Sequence, residues 1–492
     1  MPSIINNFDK LASHGNTRGR KIILDILEAG LQASDPYDNV RKLINLKGKK
    51  LMIGCEEIVG STSDDKPIKK PLVFDLSKIG KIYVIGGGKA AQRQAKALED
   101  ILGDLITEGY INAKKGEPKQ LRRIKVTFGG HPLPDEDCVR GSKRILTILK
   151  KAKKGDLVFF SESGGSSALM TLPGPGLTLE DVKDVTRMLY FEMGASMWET
   201  NTVRWNLVIL RGREKRYVGE ATLIVLGVFE RPPGIKVNVR PTQGHGSYVE
   251  AKNILKKYGL WERVSQSVRD YLDKANPKYA TLSLEELRKK RHYHFRVISP
   301  EYMLQAAEKK AKELGINATI VASSLSDIGA KEVGETFAYM AQEVENYGRP
   351  LKPPCVLICG GELIVKVGDK KGLGGRNQEF VLSAATRIAE SKNIVVASID
   401  SDGTDGPTDA AGAIADGYTL GKASKMGLDI FNELDNHNSY YVLKKLEDLL
   451  FTGARGTNVQ DLRAVYIGSR TKITYSALPE YLQTLISTKN PV

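Results

Sequence analysis

The sequence predicts an α/β protein of two domains, each with a largely parallel sheet. Short β-branched strand patterns alternate with helical patterns along the chain, which is typical of parallel strands covered by helices on both faces. A polar, charge-dense stretch at residues 275–292 interrupts this alternation, which then restarts. The length of 492 residues suggests two or three domains, since roughly 150 residues make one domain.

The first half opens with helices and then alternates. Apolar residues at three-to-four spacing predict a helix that ends before Asp35-Pro36, and a second helix follows at 37–46. The later predicted strands are 81–85, 123–128, 156–160 and 223–228, and the later predicted helices are 89–102 and 142–151.

The second half repeats this pattern. Its predicted strands are 294–298, 319–323, 356–359, 364–367 and 394–399, of which 356–359 and 364–367 are expected to pair, and its predicted helices are 300–314, 332–345 and 378–390. We place the domain boundary near Phe295. This gives a Rossmann-like domain at residues 1–295 and a second α/β domain at residues 296–492.

Charge, cysteine content and hydropathy argue against several classes of protein. The net charge is +15, but the basic runs are short, scattered and not interleaved with aromatic residues, so no nucleic-acid partner is expected. Four cysteines do not form a disulfide framework. No signal pattern is visible and no apolar run approaches the ~18 residues of a membrane span, so we expect no membrane partner and a cytoplasmic location.

The first candidate loop is Gly86-Gly87-Gly88-Lys89, between a predicted strand and a predicted helix. Backbone amides at a helix start favour an anion, and Lys89 adds positive charge. The residues also fit the dinucleotide pattern Gly-x-Gly-x-x-Ala, but the next predicted strand ends in Phe128-Gly129-Gly130-His131 without the acid that this pattern needs. A tight turn without a ligand is the alternative.

The second candidate loop, Ser161 to Ala168, follows the strand at 156–160 and carries Ser163, Gly164, Gly165 and Ser166. Its hydroxyls and amides suit phosphate or carboxylate oxygens. It nearly matches a nucleophile elbow, but a hydrolase also needs an acid and a later histidine, and no later histidine lies in a suggestive loop. A plain turn before a helix is the other alternative.

Two further loops lie in the second half. Arg376 follows Gly374-Gly375 at a predicted helix start, where the helix dipole disfavours a cation, which indicates a phosphate or carboxylate partner or a nearby acid. Residues 400–409 carry four aspartates after a strand, which suits magnesium or an exposed turn. Anion loops, an arginine and carboxylates together are the parts of phosphoryl transfer.

These loops, in this order, resemble the class II glycerate kinases, whose C-terminal part is called the MOFRL domain. The motifs that carry the resemblance are GGGKAA (86–91), GGHPLPDE (129–136), SESGGSSALMTLPGPGLTLED (161–181), ETNTVR (199–204), GGRNQE (374–379), SIDSDGTDGPTDAAGA (398–413) and GTNVQDL (456–462). The resemblance implies an active-site cleft between two α/β domains and ATP-dependent, magnesium-assisted phosphorylation of D-glycerate to 2-phosphoglycerate.

Site residues follow from the resemblance position by position. It implies that Lys89 and Arg376 stabilise charge on the transferring phosphoryl group, and that Asp402 and Asp405 bind metal or orient the substrate hydroxyl. The residues implied to contact substrate or nucleotide are Gly87, Gly88, Ser163, Gly164, Gly165, Ser166, Asn201, Arg204, Gly375 and Asn377.

The middle of the chain departs from the family pattern. Trp205-Asn206 stands where the family usually has Lys-His, and residues 226–231 and 238–242 differ from the family's Ser-Asp-Val-x-Gly-Asp and Ala-Ser-Gly-Pro-Thr. An acid pair and a lysine are therefore missing or displaced. Three alternatives therefore stay open: a kinase for a related hydroxy acid, a nicotinamide-dependent hydroxypyruvate reductase, and a binding relative with weakened activity. The acceptor hydroxyl, the range of phosphoryl donors and formation of a homodimer are also left open.

Overall fold

The computed structural model describes residues 3–64, 66–228 and 246–469. These residues form a three-stranded, a seven-stranded and a six-stranded sheet with helices packed around them. The α/β fold class is therefore confirmed. Within the described ranges, no helix combines the length and the apolar character that a bilayer span requires.

The strands are β1 (Ile44–Lys47), β2 (Lys50–Ile53), β3 (Gly60–Thr62), β4 (Leu72–Asp75), β5 (Ile82–Gly87), β6 (Ile106–Lys114), β7 (Lys125–Gly129), β8 (Leu157–Glu162), β9 (Thr222–Val228), β10 (His292–Ile298), β11 (Asn317–Ala322), β12 (Cys355–Gly361), β13 (Ile394–Asp400), β14 (Gly412–Asp416), β15 (Leu449–Leu450) and β16 (Asp461–Ile467).

The helices are α1 (Phe8–Ala12), α2 (Thr17–Ala33), α3 (Pro36–Leu43), α4 (Ala91–Leu102), α5 (Glu136–Lys151), α6 (Ser166–Leu169), α7 (Leu179–Thr186), α8 (Met197–Leu207), α9 (Glu214–Tyr217), α10 (Tyr248–Lys257), α11 (Gln266–Lys274), α12 (Leu284–Arg288), α13 (Pro300–Glu313), α14 (Ala330–Tyr347), α15 (Arg376–Arg387), α16 (Thr419–Lys425), α17 (Ile430–Asp435) and α18 (Ser439–Leu446).

The seven-stranded sheet has the strand order β3-β10-β9-β8-β5-β6-β7. Every neighbouring pair is parallel except β3 with β10, as the alternating pattern predicts. The pattern did not indicate β6, whose sequence ITEGYINAK has no continuous β-branched run. Because the strands are parallel, the loops after β5, β7 and β8 all lie at one edge of this sheet.

The six-stranded sheet has the order β11-β12-β16-β13-β14-β15 and only one parallel pair, β11 with β12. The expected strand at 364–367 does not pair with β12, and Ile364 makes only an isolated bridge to Gly329. Strand β16 pairs with β12 and β13 instead. Fully buried strands are apolar on both faces, so their sequence does not distinguish parallel from antiparallel neighbours.

The division at residue 295 stays a prediction, and two elements bear on it. Helix α2, near the start of the chain, packs against α13, β13 and β16 of the six-stranded sheet. Its buried Arg20 donates from Nε to Asp416 and from Nη1 to Asp448, both at 2.6 Å. Strand β10 continues three residues past the proposed boundary. The first helices thus join the second sheet before the chain builds the first.

Two buried histidines on β10 lead to a prediction about acid stability. His292 and His294 are 1% and 7% exposed, and three of their four ring nitrogens lack a hydrogen-bond partner among the described residues. Burial lowers the pKa of His292 to about 3 and that of His294 well below its usual value.

Because the folded pKa values lie below the unfolded value, the unfolded state takes up protons first as the pH falls. Stability is fully present above pH ~6.5 and decreases below it by about 1.4 kcal/mol per pH unit for each histidine. Urea unfolding at pH 7.5 and pH 5 should show this loss, and His294→Asn should show a smaller one. An equal loss in both proteins would contradict the assignment.

Candidate active site

The glycine loop after β5 interlocks with the serine loop after β8. The Lys89 amide donates to the Gly164 carbonyl at 2.9 Å, and the Ala90 amide donates to Ser163 Oγ at 2.9 Å. Gly88 has a φ of +127°, and a side chain there would place its Cβ 2.1 Å from Ser163 Oγ. Glycine is therefore required at position 88 for the two loops to meet.

In the serine loop, the backbone amides are available to a ligand, whereas two of the hydroxyls are already hydrogen-bonded. Ser163 Oγ is engaged by Ala90, and Ser166 Oγ accepts from Arg211 Nε at 3.0 Å. Within the described residues, the Gly164 and Gly165 amides donate to no acceptor. Gly165 has a φ of +86°, which glycine tolerates readily. This loop is suited to bind an anion through its backbone.

Helix α8 carries a buried cation that has no counter-ion among the described residues. Arg204 is 5% exposed, and its Nε and Nη2 have no hydrogen-bond partner in the described part of the chain. Asn201, three residues earlier on α8, has a buried Oδ1 that is also unsatisfied. Burial lowers the pKa of Arg204 to about 10, so the guanidinium stays charged at neutral pH. A buried charge of this kind is costly unless an anion binds it.

Of the two residues on α8 that depart from the family pattern, Trp205 contacts the serine loop, and Asn206 donates to the Thr202 carbonyl and accepts from Arg213. The Trp205 indole donates to Ser167 Oγ at 2.8 Å, and the Arg211 guanidinium lies over the indole at 4.2 Å from the ring centroid. Arg211 in turn forms ion pairs with Glu162 and Glu214. The departures at residues 229–231 and 238–242 lie outside the described residues.

On the second sheet, Arg376 begins α15 and is surrounded by carboxylates. Its Nε and Nη2 contact Asp461 at 2.8 and 2.9 Å, and Nη2 contacts Asp400 at 2.6 Å. Its Nη1 lies 3.1 Å from Glu362, whose side chain is 48% exposed. Burial disfavours the charge, but Asp461 and Asp400 outweigh it, and the pKa of Arg376 is raised.

Asp405 is fully buried and caps α15. It accepts from the Asn377 amide at 3.1 Å, from Asn377 Nδ2 at 3.2 Å and from the Gln378 amide at 2.9 Å. A Cβ at Gly375 would lie 2.2–2.4 Å from its carboxyl group. Burial raises the pKa of Asp405 to about 6. Gly375 and Asn377 thus lie at the start of α15, and the buried Asp405 carboxylate is occupied by the donors of that helix start.

Asp402 is the acid that faces the other sheet. Its Oδ2 lies 3.4 Å from Lys89 Nζ, and both side chains are about one-fifth exposed, at 20% and 21%. Its Oδ1 accepts from the Thr404 amide and hydroxyl, each at 2.9 Å. The Lys89–Asp402 pair therefore joins the glycine loop of the first sheet to the acidic loop of the second.

Asp402 and Asp405 are the residues predicted to bind magnesium. In the described ranges, no group of three His, Cys, Asp or Glu side chains is placed to hold an ion. Magnesium often binds through only one or two carboxylates together with substrate phosphates. The Asp402 carboxylate fits that arrangement, whereas Asp405 would have to give up three hydrogen bonds.

Known proteins match this fold and these motifs. A model described as a domain of unknown function, DUF4147, matches residues 22–273, and the MOFRL family model matches residues 355–461. The chain is 38% identical over 461 residues to the glycerate 2-kinase of Pyrococcus horikoshii, which covers 92% of this chain and 98% of that protein. The chain belongs to the class II glycerate kinase family.

A second relative and a solved structure are similar to this chain over most of its length. The D-glycerate 2-kinase of Thermotoga maritima is 37% identical over 421 residues, covering 84% of this chain and 97% of that protein. The crystal structure of a glycerate kinase from Thermotoga maritima superimposes with a TM-score of 0.74 at 32% identity, over 91% of this chain and 99% of that one.

The structure adds site residues that sequence reasoning did not assign. His131, Lys114, Asp400 and Asp461 all lie near the predicted residues. His131 and Asp461 fall inside the quoted family motifs, so those motifs could have indicated them. Lys114 ends β6, a strand that the pattern missed, and β6 also ends without the acid of a dinucleotide site. Among the predicted glycines, Gly87 packs against Met170, where a Cβ would lie 2.4 Å from Cγ.

Proposed function

We propose that this chain transfers the γ-phosphoryl group of ATP to D-glycerate and forms 2-phosphoglycerate. The observation that carries the proposal is the buried guanidinium of Arg204, whose Nε and Nη2 have no hydrogen-bond partner in the described part of the chain. Arg204 lies close enough to His131 for its charge to shift the pKa of that imidazole. Lys89, Lys114 and Asp402 act on the same imidazole. An enzyme that joins two anionic substrates needs such a cluster of cations. The family members named glycerate 2-kinase and D-glycerate 2-kinase support the same reaction.

Each half of the site would take one substrate group. Arg204 offers two free donor nitrogens to the carboxylate of D-glycerate, and Asn201 offers an acceptor to one of its hydroxyls. Lys89 and the amides of Gly164 and Gly165 would stabilise negative charge on the transferring phosphoryl group. Arg376 would turn Nη1 from the exposed Glu362 toward a phosphate oxygen while Asp461 and Asp400 hold its other nitrogens.

We further propose that magnesium accompanies the nucleotide and that Asp402 is its protein ligand. Magnesium would neutralise charge on the phosphate oxygens. Asp402 would then exchange its contact with Lys89 for the ion, and the Lys89 ammonium would turn toward the phosphoryl group. Asp405 would not bind metal and would hold α15, and so Arg376, in position.

Two substitutions separate these roles of the aspartates. Asp405→Ala should lower the free energy of unfolding by about 2–4 kcal/mol, because it leaves the buried amides of Asn377 and Gln378 unsatisfied and removes a contact of Asn377 Nδ2. Asp402→Ala should change that free energy by about 1 kcal/mol or less, because its ion pair is partly exposed. It should instead raise the magnesium concentration for half-maximal activity about ten-fold or more.

Urea unfolding and magnesium titrations of both variants test this assignment. Equal magnesium requirements in wild type and Asp402→Ala would contradict the metal role of Asp402. Unchanged stability of Asp405→Ala would contradict the capping role of Asp405.

Phosphorus NMR of the purified protein with ATP, magnesium and D-glycerate tests the reaction. A 2-phosphoglycerate signal is expected. A 3-phosphoglycerate signal would support kinase activity but contradict transfer to the 2-hydroxyl. Unchanged ATP would contradict D-glycerate as the substrate. A cytoplasmic location stays a prediction, and a homodimer stays open until the molar mass is measured by light scattering.

A further inference from the structure

The imidazole of His131 lies among the site residues, but none of the roles proposed above involves it. It follows β7 in the GGHPLPDE motif, is half-buried, and makes no hydrogen bond within the described residues. A methyl group placed on Gly165 would come 3.2 Å from His131 Nε2 and 3.5 Å from Lys89 Cγ. The open side of the serine loop is therefore shared by this imidazole and by the lysine of the phosphoryl site.

The charges around His131 define its chemical state. Burial and the cations Lys89, Lys114 and Arg204 lower the pKa of His131 to about 3, and Asp402 opposes them only partly. The ring is therefore neutral across the range in which kinases are assayed. An efficient general base has a pKa near the working pH, so this imidazole is poorly suited to remove a proton from the acceptor.

A neutral imidazole presents one donor and one acceptor. The surrounding cations are the natural partners of the carboxylate and of the phosphates. A hydroxyl group, which also donates once and accepts, is the remaining polar group of a hydroxy acid and matches the imidazole. The position beside Gly165 and Lys89 places this match where the acceptor and the phosphoryl group must meet.

We propose that His131 hydrogen-bonds a hydroxyl group of the acceptor substrate and is a specificity-determining residue of the transfer reaction. This inference rests on the proposed function, since it requires a hydroxy acid in the site. It assigns to His131 neither proton abstraction nor phosphate binding.

Steady-state kinetics of His131→Ala and His131→Gln test the proposal. His131→Ala should lower kcat/KM for D-glycerate about ten-fold or more and leave the KM for ATP within two-fold of wild type. Glutamine also donates and accepts, so His131→Gln should recover part of the loss. D-lactate, which lacks the 3-hydroxyl, serves as a second acceptor. A loss confined to D-glycerate would assign the 3-hydroxyl, and an equal loss for both acceptors would assign the 2-hydroxyl.

The failure of this inference is distinguishable from the failure of the proposed function. If wild type phosphorylates D-glycerate and His131→Ala keeps its kcat/KM within two-fold, only the role of His131 is overturned. A change confined to the KM for ATP would also overturn it. If wild type does not phosphorylate D-glycerate, both proposals fall.

Thermal unfolding shows whether the variants fold. If they do not, NMR of wild type with ¹³C-labelled histidine replaces the kinetics, with the spectra compared before and after D-glycerate is added. A shifted His131 ring signal supports the contact, and an unshifted one overturns it.

Discussion

Arg204→Met is expected to lower kcat/KM for D-glycerate about 100-fold while raising the thermal stability of the protein. The loss of activity follows from two charge-assisted hydrogen bonds to the substrate carboxylate, which are the strong kind. The gain in stability follows because the guanidinium is 5% exposed and its Nε and Nη2 are unsatisfied in the described chain. Replacing an uncompensated buried charge by an apolar side chain should stabilise the fold by about 1–3 kcal/mol.

Arg211→Met is the matched control for Arg204→Met. Arg211 is equally buried, at 6% exposure, but it is paired with Glu162 and Glu214. Its removal leaves the buried Glu214 and the partly exposed Glu162 without this counter-ion and should lower the free energy of unfolding by about 3–5 kcal/mol. Opposite shifts of Tm for the two variants are therefore expected. If Arg204→Met destabilised the protein as much as Arg211→Met, Arg204 would be a structural residue and its substrate role would be wrong.

Lys89→Ala is expected to lower kcat about 1,000-fold with a much smaller change in Tm. A positioned positive group that stabilises transition-state charge contributes about 3–4 kcal/mol to catalysis. The ion pair of Lys89 with Asp402, at 3.4 Å, is partly exposed, and such a pair adds about 1 kcal/mol or less to stability. Single-turnover measurements with saturating ATP and D-glycerate test the chemical step directly.

Lys96→Ala controls for the loss of a nearby lysine that has no proposed role. Lys96 lies in the middle of α4, the helix that follows Lys89, and pairs with Asp100 at the surface, so its removal should leave kcat unchanged. A kcat for Lys89→Ala within ten-fold of wild type would contradict a role for Lys89 in the phosphoryl transfer step. A large fall in both variants would indicate that helix α4 itself had been disturbed.

The acidic loop at residues 400–409 was predicted in part from its motif. Its residues and their position after a strand indicated a functional loop, and Asp402 does face Lys89 across the two sheets. The same motif made Asp402 and Asp405 look equivalent. Their environments separate them, because the amides of Asn377 and Gln378 surround Asp405 and draw it into α15.

Arg376 gives a second case. The unfavourable position of a cation at a helix start correctly indicated an anionic partner, and the structure provides Asp461, Asp400 and Glu362. Asp461 begins β16, a strand that lies between β12 and β13 although it is far from both in sequence. No local pattern could indicate that this strand would deliver a carboxylate to position 376.

The sequence by itself determined the α/β class, the parallel first sheet, the four loops and the resemblance to a kinase family, because helical period, strand pattern and motif spacing are local properties. The tertiary structure decided which groups meet. It paired Lys89 with Asp402, buried Arg204 with no counter-ion among the residues at 3–64, 66–228 and 246–469, and placed His131 beside Gly165. Those relations depend on burial and on contacts between distant segments, and burial is what turns an ordinary arginine or histidine into a group that requires a ligand.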